Sequence, residues 1–146
     1  MRTVKRPDAF CDSSALVPLF VDQPGSAFAR SALKVSAATW WGTPVEIASA
    51  LARLLREGAI TVRDFGKAAN RLAAARQTWI EVLPSERLRD VAQALVQRHP
   101  LRAGDAFQLA AGLEWANQRP RGRRFLCLDR RLADAARAEG FQVEGV

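Results

Sequence analysis

Ala9-Phe10-Cys11-Asp12-Ser13-Ser14-Ala15-Leu16 changes character at its middle: an apolar run ends on an acid, and a helix-like run begins. Comparable junctions recur along the chain. Thr39-Trp40-Trp41 leads into Glu46, which begins Ile47-Ala48-Ser49-Ala50-Leu51; Asp105 starts Ala106-Phe107-Gln108-Leu109-Ala110; Phe125-Leu126-Cys127-Leu128 ends on Asp129, from which a helix runs to about Glu139. Strands that are apolar on consecutive residues are covered on both faces. Their alternation with helices predicts an α/β domain, with a central parallel sheet of about five short strands and helices on both faces. In such a sheet the carboxyl ends of the strands share one rim, where ligands bind. Asp12, Glu46, Asp105 and Asp129 are therefore candidates to converge there. Several carboxylates without a cation among them call for a metal, and an oxygen-only site suits Mg²⁺ or Mn²⁺.

The remaining elements follow from caps and breakers. Thr43 reads as an N-cap with Pro44 at the first helical position, and the helix stops at Gly58. A second helix begins near Thr61, with Asp64 three residues on. A short strand over 79–83 ends at Pro84; Ser85 caps a helix that closes by Arg98, because Pro100 forbids continuation. The next helix covers 105–117, a basic loop 119–124 precedes the strand over 125–128, and Gly140 separates the last helix from a final strand over 141–144. Each acid also has a local explanation. Thr43-Pro44-Val45-Glu46 has the form of a capping box, in which Glu46 folds back onto the Thr43 amide. Asp12 and Asp129 can be N-caps, and Asp105 can complement its helix dipole. The combination weighs the other way, since Asp22, Asp64, Asp90 and Asp134 do not stand at strand ends. If the strands before Asp12 and Asp129 are neighbours, the two carboxylates repel unless a divalent ion lies between them.

At 146 residues the chain has the length of one domain, 1–146, with a basic N-terminal segment at 1–7. No window approaches the roughly 20 apolar residues of a membrane span. Cys11 and Cys127 sit in apolar runs without CxxC spacing and read as buried thiols, which fits a reducing cytoplasm. The net charge of +7, with 22 Lys and Arg against 15 Asp and Glu, points to a nucleic-acid partner. If the four acids cluster, the remaining surface is more basic still.

Asp12-Ser13-Ser14-Ala15-Leu16-Val17 resembles the opening acidic motif of PIN domains, the nuclease fold of VapC-type toxins in bacterial toxin–antitoxin pairs. Val45-Glu46-Ile47-Ala48-Ser49-Ala50-Leu51 looks like the second motif, Leu101-Arg102-Ala103-Gly104-Asp105-Ala106-Phe107-Gln108-Leu109-Ala110 the third, and Leu126-Cys127-Leu128-Asp129-Arg130-Arg131-Leu132 the fourth. The likeness runs from about residue 8 to 144. It implies an Mg²⁺- or Mn²⁺-dependent endoribonuclease whose acids Asp12, Glu46, Asp105 and Asp129 hold the metal, with one also positioning the attacking water. It further implies RNA as substrate, a cognate VapB-type antitoxin that blocks the groove, and a homodimer. Phosphodiester hydrolysis needs an activated water and relief of charge on the phosphate, both of which divalent ions supply.

One departure is Cys127, which stands where the family often carries Thr or Ser; a thiol is the poorer hydrogen-bond partner. Ser13 and Ser14 either orient Asp12 and touch phosphate or cap the helix that follows. Arg121, Arg123 and Arg124 either contact RNA or form a solvated loop, and Trp40 and Trp41 either stack on bases or pack. His99 as a general base competes with a plain loop position. Two rival readings remain: a PIN-like module that binds RNA or a partner with little turnover, and another Mg²⁺-dependent phosphoryl-transfer protein. A haloacid-type phosphatase wants a second Asp where Ser14 stands, and a receiver domain wants a late Lys, whereas the last is Lys67.

Overall fold

The computed structural model describes residues 7–32 and 36–146. The basic segment expected at 1–7 lies outside the described residues except for Pro7. Strands β1 (Ala9–Cys11), β2 (Ala37–Trp40), β3 (Ile80–Val82), β4 (Arg124–Leu126) and β5 (Gln142–Glu144) form one all-parallel sheet in the order β3-β2-β1-β4-β5. Helices α1 (Ser13–Leu16) and α2 (Ser26–Ala32) join β1 to β2; α3 (Thr43–Arg56) and α4 (Val62–Arg76) join β2 to β3. Helices α5 (Glu86–Arg98) and α6 (Ala103–Trp115) lead to β4, and α7 (Arg130–Glu139) to β5. The expected α/β architecture with five short strands is the one observed.

Successive residues of the central strands face opposite cores, which is why β1 and β2 are buried along their whole length, whereas the edge strands β3 and β5 carry Glu81, Gln142 and Glu144. Ala9, Cys11, Ala37 and Leu126 pack with Leu16, Ile47 and Leu51 on the side of α1 and α3. Phe10, Ala38, Trp40 and Phe125 pack with Leu88, Leu95, Leu109 and Leu132 on the side of α5, α6 and α7. Each large side chain buried this way contributes roughly 1.5–3 kcal/mol. Phe10 and Phe125 are register partners on β1 and β4, and their rings stack at 5.3 Å. Gly112 of α6 lies against this pair; a Cβ there would come within 2.8 Å of the Phe125 ring. The missing side chain lets α6 lie close on the β1–β4 pair.

The chain lays β2 and β3 on one side of β1 and then returns to put β4 on the other. A crevice at the carboxyl ends of β1 and β4 is the outcome, and it is the usual ligand position in an open parallel sheet.

Several local readings hold: Thr61 and Asp64 form a capping box, Ser85 caps α5, and Gly140 ends α7 with φ +112°. The box expected at Thr43 does not form. Gly42 is the N-cap of α3, without a side-chain cap, and Pro44 falls within the first turn. Gly42 lies against Trp40, where a Cβ would stand 2.6 Å from the indole Nε1. The Thr43 hydroxyl instead accepts a hydrogen bond from Gln108 Nε2 at 2.9 Å.

Candidate active site

Asp12 follows β1 directly, and its amide donates to Leu126 O of β4 at 3.0 Å. It caps α1, accepting from the Ser14 amide at 3.0 Å and from the Ser14 hydroxyl on Oδ2. Ser14 Oγ in turn accepts from the Leu128 amide at 2.9 Å, so one serine ties the first acid to the segment carrying the fourth. Only 3% of Asp12 is exposed. Burial pushes its carboxyl up to about 6; Glu46 and Asp105 act in the same direction and the Ser14 donors oppose it.

Glu46 projects from the first turn of α3, and its Oε2 accepts from Ser13 Oγ at 2.7 Å and from Gln108 Nε2 at 3.2 Å. Asp105 stands in the first turn of α6; burial raises its pKa, and the charges of Asp129 and Glu46 push it the same way. Asp129 caps α7, with Oδ1 accepting from the Leu132 amide at 2.9 Å. The local reading of Asp12 and Asp129 as caps is correct, and it does not keep them from the cleft.

The four acids line one cleft. One arm, of about 480 Å³, is walled by Asp12, Ser13, Ser14, Glu46, Asp105 and Asp129 together with Arg53 and Arg102. A second, of about 530 Å³, shares Glu46, Arg102, Asp105 and Asp129 and adds Arg130 and Arg131. A separate cavity of about 410 Å³ near Phe20, Ile60 and Lys67 contains none of these acids.

Among the described residues no three His, Cys, Asp or Glu side chains are drawn together tightly enough to ligate one ion. Asp12 Oδ2 and Asp129 Oδ1 accept from nearby amides and Glu46 Oε2 from Ser13 and Gln108, leaving Asp12 Oδ1 (with only a 3.4 Å contact to Ser13 Oγ), Glu46 Oε1 and Asp129 Oδ2. A donor set of carboxylate oxygens around a roomy cleft fits a hard divalent cation, because Mg²⁺ keeps several waters and needs only one or two direct carboxylates.

Cys127 is buried beside this group, with Sγ 3.7 Å from both Asp12 Oδ2 and Ser14 Oγ. Burial and the Asp12 charge push its thiol well above the ordinary range, so it stays protonated. Trp40 is core, stacked on Phe107 at 5.5 Å, whereas Trp41 is 52% exposed. His99 Nε2 lies 2.9 Å from Glu139 Oε2 and His99 lines neither arm of the cleft.

Arg121, Arg123 and Arg124 are not brought to the acids. Arg124 opens β4 opposite Ala9, the first residue of β1, so the loop emerges at the amino rim. Arg123 lies over the Trp115 ring at 4.1 Å, and Arg124 pairs with Glu144 at 2.5 Å. Conversely, Gln108, Arg53, Arg102, Arg130 and Arg131 were not among the expected site residues. Gln108 is fully buried within an otherwise apolar helical run, and a lone buried amide there is the signal that could have found it. Its Oε1 has no partner among the described residues.

No helix among the described residues is long and apolar enough to cross a membrane. No family model matches the chain, and no curated protein matches its sequence. Solved structures do match. The chain is similar to a chain of a toxin–antitoxin complex from Klebsiella pneumoniae, at 19% identity over 86% of this chain and 90% of that one, with TM-score 0.62. It is similar to PAE2754 from Pyrobaculum aerophilum at 21% identity, over 97% and 92% of the two chains, with TM-score 0.65. The match to FitAcB from Neisseria gonorrhoeae has 14% identity, 92% and 95% coverage and TM-score 0.60. The fold is PIN-like, as the four motifs imply.

Proposed function

We propose that this chain is a metal-dependent endoribonuclease and the toxin of a toxin–antitoxin pair, working in the cytoplasm as a homodimer and restrained by a cognate antitoxin of the VapB type. The observation that carries the reading is the arrival of Asp12, Glu46, Asp105 and Asp129, from four separate segments, in one cleft at the carboxyl rim of the sheet. The fold shared with a chain of a toxin–antitoxin complex supports the biological role.

In this reading Asp12, Glu46, Asp105 and Asp129 hold Mg²⁺ or Mn²⁺ directly or through water. When bound, the cation acidifies a water and neutralises charge growing on the phosphate oxygens. Ser13 and Gln108 fix Glu46, and Ser14 fixes Asp12, so neither carboxylate must be ordered when RNA arrives. Asp105, partly open to solvent, orients the attacking water and accepts its proton. The new P–O bond forms as the scissile P–O bond breaks, and the departing oxygen takes a proton from solvent.

The test is cleavage of end-labelled RNA. Mg²⁺ should support cleavage, while EDTA or Asp105→Asn should abolish it with the fold retained. Cleavage indifferent to both overturns the reading, and RNA binding without any turnover favours the module that only binds.

A further inference from the structure

The two arms of the cleft share Glu46, Arg102, Asp105 and Asp129, and each carries its own guanidinium groups at the mouth. Arg53 belongs to one arm, Arg130 and Arg131 to the other, and Arg102 to both. All four arginines are exposed, while Asp12 is recessed. Among the described residues none of the four has a carboxylate within 4.0 Å, although four acids line the same cleft. None of the undescribed residues is acidic. Elsewhere several arginines are engaged: Arg76 with Glu81, Arg98 with Glu139, Arg124 with Glu144, and Arg137 with Asp134.

We infer that the RNA backbone follows a line from Arg53 across Arg102 to Arg130 and Arg131, with the scissile phosphate over the acids, and that the basic loop 119–124 takes no part. This rests on the ribonuclease reading above. Anionic floor and cationic flanks suit a polyanion with regularly spaced charges: phosphates on either side sit on arginine forks, while the central one meets the carboxylates through a cation. The three elements involved also direct helix N-termini at the cleft, since Glu46, Asp105 and Asp129 stand in the first turns or at the cap of α3, α6 and α7. The amino-rim loop has no such position. It opens β4, at the opposite rim of the sheet from the acids, and Arg123 and Arg124 are already engaged.

The experiment measures binding of a fluorescein-labelled single-stranded RNA by anisotropy, in EDTA and across a salt series. Wild type is compared with Arg53→Ala, Arg102→Ala, Arg130→Ala/Arg131→Ala and the loop variant Arg121→Ala/Arg123→Ala, each checked for an unchanged melting temperature. Each lost arginine in the cleft should weaken binding roughly tenfold, as a charge-assisted contact does. The log–log salt slope should fall by about 0.7 per phosphate contact removed. The loop variant should bind as wild type does. In Mg²⁺ the cleft variants should raise KM and keep kcat. The inference is overturned if wild type binds no RNA, if the cleft variants keep wild-type affinity and slope, or if the loop variant flattens the slope as much as they do. Arginine-dependent binding without cleavage would sustain the RNA path and remove the nuclease reading; cleavage with arginine-independent binding would do the reverse.

Discussion

Replacing Asp12 with Asn should stabilise the metal-free protein, and the size of the effect follows from the site. The Asp12 carboxyl rises from 3.8 to about 6, first through burial and then through Glu46 and Asp105. A folded-state pKa above the unfolded one means that the protonated form favours folding. That stability is fully present below the unfolded pKa of 3.8 and is lost as pH rises through about 6. At about 1.36 kcal/mol per pKa unit, the rise from 3.8 to about 6 corresponds to a penalty on the order of 3 kcal/mol at pH 7–8. Asn carries no charge, and its Oδ1 can still accept from the Ser14 amide that Asp12 now engages. For a chain of this length, with roughly 2–5 °C per kcal/mol, the variant should melt about 6–15 °C above wild type at neutral pH, and the gap should close towards pH 4. Thermal unfolding followed by circular dichroism in EDTA, at a series of pH values, measures this directly. A difference between the two proteins that is absent or independent of pH would refute the reasoning, because burial and repulsion at Asp12 would then have no cost. Adding Mn²⁺ at pH 7.5 should raise the wild-type melting temperature and leave that of Asp12→Asn nearly unchanged.

Gln108→Leu, similar in volume, should leave the melting temperature nearly unchanged while weakening Mn²⁺ binding roughly tenfold, because Glu46 loses a donor now at 3.2 Å; unchanged affinity by calorimetry would show that Gln108 does not position Glu46. Asp129→Ala and Asp129→Asn should both abolish RNA cleavage, but only Ala should also cost about 1 kcal/mol in urea unfolding, since Asn still caps α7. Cys127→Thr should keep or raise the cleavage rate, since a hydroxyl there can approach Asp12 Oδ2 and Ser14 Oγ more closely than the thiol at 3.7 Å; a large loss of rate would contradict this.

The acids were legible in the sequence because their positions depend on local features that a parallel sheet repeats. An apolar run ending on Asp12 or Asp129 puts that residue at the carboxyl rim, and pairing of β1 with β4 then brings the two segments side by side. Thr43 was misread for a non-local reason: its hydroxyl accepts from Gln108, far along the chain, while Gly42 takes the cap position. For the loop 119–124 the sequence leaves both RNA contact and a solvated loop open; what it does not display is the register that opens β4 opposite Ala9 and so puts the loop at the amino rim, away from the acids. The cleft arginines needed the topology, yet their register offered a hint. Arg53 lies seven residues after Glu46, two helical turns along the same face, while Arg102 and Arg130 flank Asp105 and Asp129 closely in sequence.

Titration of Mn²⁺ into metal-free protein tests most directly whether the four carboxylates act as one cation site, since no three of them are drawn together around a single point among the described residues. Calorimetry on wild type, Asp12→Asn and Asp129→Asn at pH 7.5 should show binding to wild type that EDTA reverses, and a loss of more than about tenfold in either variant, because one charge and one oxygen donor leave the cleft. Wild-type affinity in both variants, or no binding to wild type at all, would contradict the account.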